Sequence, residues 1–147
     1  MTNEDFVSYE IAQVLARCGY DGQYDYMYAT ENFCYGNNPI SFNTISAGEM
    51  IPECVAFYVN DDNEDDYRGI PCPTLWRAQK WLREVKGIAI NVYAHDGGFY
   101  TWDETYLLNA PEYKGAIPVD WVHYVSYESA LSAGIEAALK LIEEGEG

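Results

Sequence analysis

The chain has 147 residues, 24 of them acidic against eight basic, and a formal net charge of -16. So acidic a surface excludes direct binding to nucleic-acid phosphates or to anionic membranes, both of which need clustered Lys and Arg. Hydrophobic residues at 48% and aromatics at 16% exclude a disordered chain, and the length is that of one domain spanning 1–147.

A helix is expected over 5–18, where Phe6, Tyr9, Ala12, Val14, Leu15 and Cys18 recur at roughly helical spacing, with Thr2 or Asn3 as cap and Gly19 as stop. The N-terminus carries no basic and apolar export signal, and no apolar run approaches the roughly 18 residues of a membrane span. A cytoplasmic location follows as the expectation. Residues 24–28 alternate and read as a strand, with Phe33, Cys34 and Tyr35 returning as its hairpin partner. Residues 40–53 read as a loop holding at most a short strand, and Cys54 to Val59 as a β-rich run. Cys18, Cys34, Cys54 and Cys72 are scattered with no close pair, so neither a disulfide nor a zinc site nor any cofactor is expected.

An acidic loop follows over 60–69, containing Asp61, Asp62, Glu64, Asp65 and Asp66. Asp61, Asn63 and Asp65 alternate as at the start of a calcium loop. The Gly and Glu that an EF-hand needs at its sixth and twelfth positions are Asp66 and Cys72 here. A solvated charge run or a partner-binding surface is the better reading, and no metal is expected.

Immediately afterwards, four of the eight cations (Arg77, Lys80, Arg83 and Lys86) fall in one stretch. It reads as a helix over 74–86, capped by Thr74 and ended by Gly87. At 100° per residue Ala78, Trp81, Leu82, Val85 and Ile88 share the buried face. Trp76 projects from the other side with Lys80 and Arg83 beside it. An exposed Trp among cations is interface chemistry, though a covering element or a cation-π pair would explain it equally.

Residues 88–94 and 99–108 form the clearest hairpin. A three-residue loop, Asp96 to Gly98, pairs Ala94 with Tyr100, Val92 with Trp102 and Ile88 with Tyr106, which collects one apolar face. Its single cost is Glu104, set on that face opposite Ile90. A carboxyl buried there would have its pKa raised, as general acids do, unless it reaches the sheet edge or a tyrosine hydroxyl or cation satisfies it. His95 and Asp96 read as a turn-forming pair, and His123 as a half-buried, hydrogen-bonded histidine. A strand is expected over 119–125. The last helix, 126–144, is capped by Ser126 and buries Leu131, Ile135, Ala138 and Ile142. Ala130, Gly134 and Ala138 leave one flank thin enough for close packing. The fold class is therefore α+β: three helices on a mainly antiparallel sheet built from hairpins. A helix-hairpin duplication is one option.

Three segments resemble a known group: Val7-Ser8-Tyr9-Glu10-Ile11-Ala12, Pro73-Thr74-Leu75 leading into Gln79 to Ile88, and Tyr127-Glu128-Ser129-Ala130-Leu131 running to Ile142. Together they are similar to an uncharacterised family of small acidic proteins, frequent in gut Bacteroidetes genomes and their phages. That family has no established activity, so no residue's role carries over. The resemblance implies a phage or mobile-element context and an accessory role.

No nucleotide-binding or hydrolase motif is present. The leading expectation is a non-enzymatic protein that binds a partner with a basic surface, or self-associates through the basic helix. One version inhibits a nucleic-acid-binding host defence protein by acidic mimicry. The alternatives are a small enzyme using Glu104 or a histidine as acid-base group, and a virion component. No catalytic residue is assigned.

Overall fold

The computed structural model describes residues 3–31, 33–35, 43–52, 69–107 and 122–146. Within them the chain is an α+β protein with three α-helices: α1 (Tyr9–Arg17), α2 (Leu75–Trp81) and α3 (Tyr127–Glu146). There are seven strands: β1 (Tyr26–Ala29), β2 (Phe33–Tyr35), β3 (Asn43–Ile45), β4 (Met50–Pro52), β5 (Gly69–Cys72), β6 (Ile88–His95) and β7 (Phe99–Tyr106). All pairings are antiparallel.

The first helix begins later than its periodicity suggests. Asn3–Asp5 form a 3-10 turn, and Ser8, not Thr2 or Asn3, caps α1 by accepting from the Ile11 amide at 3.2 Å. Phe6 and Val7 are extended instead. Phe6 bridges Thr74, and the Val7 amide donates to the Pro73 carbonyl at 3.1 Å. Gly19 at φ 85° stops the helix as expected.

The expected hairpin between 24–28 and 33–35 does not form. β1 instead lies at the centre of a three-stranded sheet, β4-β1-β5, while β2 pairs with β3. The Ala29 amide donates to Glu49 and its carbonyl accepts from Gly48, so β4 takes the edge that β2 was expected to fill. The consecutive strands that do pair after α1 are β2 and β3, so the helix-hairpin unit read around β1 does not form as expected. Among the described residues the strands make three separate sheets, not one. Residues 54–59, expected as a β-rich run, lie outside the described residues.

The Tyr28 hydroxyl donates to the Val7 carbonyl inside the core and joins this sheet to the N-terminal strand. The Cys72 thiol, 3.9 Å away, shares that acceptor. Tyr28→Phe is expected to cost about 1–2 kcal/mol, the penalty of a buried hydrogen bond removed from one side. The urea midpoint measures it, and an unchanged midpoint would show the bond to be dispensable.

α3 organises the rest. Ser126 caps it, its hydroxyl accepting from the Ser129 amide at 3.0 Å. Leu131, Ile135, Ala138 and Ile142 are all buried, as the stripe predicts. The helix packs on the β6–β7 hairpin and on α1 and α2. Arg17 and Glu143 close the α1–α3 contact at 2.8 Å, a surface pair that adds little stability. The hairpin has the register argued from its apolar face, with Val92 opposite Trp102 and Ile90 opposite Glu104. Gly97 and Gly98, both at positive φ, make its turn.

Candidate functional site

α2 starts where Pro73 follows the end of β5 and Thr74 turns in. The Thr74 hydroxyl accepts from the Arg77 amide at 3.2 Å. Leu75, Ala78 and Trp81 face the core. The Trp81 indole donates to Asp21 at 2.7 Å and its ring lies 5.3 Å from Tyr20. Arg77 pairs with Asp25 at 3.0 Å.

The helix does not continue regularly. Leu82–Lys86 form a π-turn, ended by Gly87 at φ 72°. The i→i+5 bonding of such a turn inserts one residue into the repeat. Lys86 is thereby carried over the Trp81 ring, 5.7 Å from its centroid. Val85, expected in the core, is rotated outward and is 52% exposed. The cation-π pair on this element thus uses Trp81 and Lys86, while Trp76 is 42% exposed, with Lys80 and Arg83 exposed on the same helical segment. The other candidate contact residues, Asp61, Asp62, Glu64, Asp65 and Asp66, lie outside the described residues, as does the calcium reading of that loop.

The hairpin presents two chemically different faces. On the outer one the Asn91 amide donates to Asp103 at 2.9 Å and to Thr105 at 3.0 Å, and the Tyr93 hydroxyl reaches Asp103 at 3.3 Å. His95 shares a 2.7 Å hydrogen bond with Thr101. Its ring stacks on Phe99 at 4.9 Å, and His123 stacks on the same ring at 3.9 Å. Two near-parallel imidazoles at these separations have no room on one side of Phe99, so they take opposite sides. His123 is therefore an exposed, stacked residue and not a half-buried, hydrogen-bonded one. Tyr124 follows it as an isolated bridge to Tyr100, and the described part of 119–125 forms no strand. The His95–Phe99 pairing follows from the hairpin register. Nothing in the sequence pointed to His123 as the third ring.

On the inner face, which α3 covers, the Glu104 Oε2 accepts from the Tyr106 hydroxyl at 3.1 Å. A tyrosine hydroxyl thus meets the carboxyl, one of the outcomes expected for it. Burial pushes this carboxyl up to about 7, the Tyr106 bond opposes the shift, and nearby Asp103 adds to it. Its Oε1 is shielded from solvent and unpartnered, as is Trp102 Nε1. Both histidines lie away from Glu104: His95 alternates onto the other face and His123 is stacked there.

The Cys18 and Cys72 side chains are buried. Among the described residues no group of three or more His, Cys, Asp and Glu side chains is placed to hold a metal ion. No described helix is long and apolar enough to cross a membrane. A scan against protein-family profiles and searches of curated proteins and of solved structures return no match.

Proposed function

We propose that the chain is a non-enzymatic protein-binding accessory protein of phage or mobile-element origin, acting in the cytoplasm through charge and aromatic contacts. The observation that carries this reading is Trp76, 42% exposed on the helical segment that also exposes Lys80 and Arg83, on a molecule of net charge -16. A large aromatic exposed among cations is costly to keep in water and is typical of an interface anchor. The acidic remainder favours partners with basic surfaces, including a nucleic-acid-binding defence protein that this surface would inhibit by imitating phosphate spacing. Self-association through the basic helix is the other form of the same reading.

The test is Trp76→Ala. Folding should be nearly unchanged, since the side chain is largely outside the core. Capture of partners from host cells, or self-association by sedimentation, should weaken by about 1–3 kcal/mol. Added salt should weaken it further, because exposed charges are screened over about 10 Å at 0.1 M. A collapsed melting temperature would make Trp76 a core residue. Unchanged melting with unchanged association would remove the surface from consideration.

A second reading, a small enzyme with Glu104 as acid-base group, is favoured by that carboxyl's raised affinity for its proton. Against it, neither histidine lies near the carboxyl, and its recorded neighbours are Tyr106 and Asp103. Any turnover found in a substrate screen that Glu104→Gln abolishes would restore it.

A further inference from the structure

Strand alternation places Ile88, Ile90, Val92, Trp102 and Glu104 on the hairpin face that packs on α3. Ile90 and Trp102 are buried directly against Gly134. Glu104 is the carboxylic acid of that face. One of its oxygens is held by Tyr106, and the other is dry and unpartnered. Trp102 Nε1, a second buried polar atom without a partner, belongs to the side chain two residues back, and no hydrogen bond joins the two.

The charged surroundings do not help an ionised Glu104. β6 offers Ile88, Ile90 and Val92 on this face. β7 contributes the like charge of Asp103. α3 carries Glu128, Glu136, Glu143 and Glu144. Its Lys140 sits 3.9 Å from Glu136, and Arg17 of α1 is paired with Glu143. Among the described residues, no cation is recorded against Glu104.

We propose that the contact between the β6–β7 hairpin and α3 is a proton-controlled latch, closed when Glu104 is neutral and loosened when it is ionised. A neutral carboxyl tolerates the dry site. An ionised one needs water at Oε1, and the direct way to admit it is to lift the C-terminal half of β7 from α3, which also uncovers Trp102. Because the folded-state affinity for the proton is raised, the stabilisation is fully present below the ordinary carboxylate range and is lost as pH rises through about 7. The latch is independent of the partner-binding proposal.

The test is native-state hydrogen exchange on the full chain at pH 5.5 and 8.5, expressed as protection factors. In the wild type, protection of the Asp103 and Thr105 amides should fall roughly tenfold at the higher pH, allowing for partial solvent screening of Glu104. Protection in α1 should not follow. Glu104→Gln should hold the hairpin amides at their acid level at both pH values. Wild-type protection independent of pH, or an equal fall in Glu104→Gln, overturns the latch. Should that variant fail to fold, carboxyl NMR of the wild type decides. A Glu104 titration near pH 7 accompanied by shifts of the Trp102 indole supports the proposal, and an ordinary carboxylate midpoint overturns it.

Discussion

Gly134→Leu should destabilise the fold by about 3 kcal/mol, the upper end of what overpacking usually costs. Gly134 sits mid-way along α3 with the hairpin pressed against it. A Cβ there would lie 2.6 Å from Ile90 Cγ2 and 3.3 Å from the Trp102 ring. Both neighbours are buried, so neither can swing into solvent. A glycine in a helix interior forfeits about 1 kcal/mol relative to alanine, so replacing it would help an isolated helix. The close approach of β6 outweighs that gain. Urea denaturation measures the difference, and an unchanged or raised midpoint would mean that the hairpin does not seat on α3 as closely as described.

Leu82→Ala should cost about 2–5 kcal/mol, the range for truncating a fully buried leucine that leaves a cavity. Leu82 opens the π-turn and has 0% exposure. Its informative companion is Val85→Ala, expected to change stability by less than about 0.5 kcal/mol because Val85 faces solvent. In an uninterrupted α-helix Val85 would stand over Ala78 and Leu82, and its truncation would be felt in the core. Equal, large losses in both variants would therefore argue for a regular helix in place of the π-turn.

That turn also marks a limit of sequence reasoning. Periodicity assumes one constant rotation per residue, so it correctly buried Ala78, Trp81 and Leu82 and then failed at Val85, one residue insertion later. The caps were legible because they are local: Thr74, Ser126, Gly19 and Gly87 each act within a few residues of themselves. The hairpin register was legible because only one loop length gathered its apolar residues on one side. The close approach at Gly134 was readable for a similar reason, as the thin side of an otherwise regular stripe. β1 was different. Alternation identified a strand there but carries no information about its neighbours, and three-residue strands such as β4 are too short to show a period. The start of α1 was misplaced because Phe6 falls at helical spacing while belonging to an extended segment. Within the candidate interface, exposure of Trp76 followed from its position opposite the core stripe. The aromatic sandwich around Phe99 joins residues from different segments and has no sequence signature.

The pairing of β1 has a consequence for how the chain comes into being. Its two sheet neighbours, β4 and β5, are both made later, and Phe6 and Val7 meet residues 73 and 74, later still. A nascent N-terminal third emerging from the ribosome thus has no complete set of partners until β5 has followed it out. By contrast α2, β6 and β7 are adjacent in the chain and need little loop closure. β1, although synthesised first, is therefore flanked on only one side until β5 emerges, and a ribosome stalled before Gly69 would hold it with β4 as its one sheet neighbour.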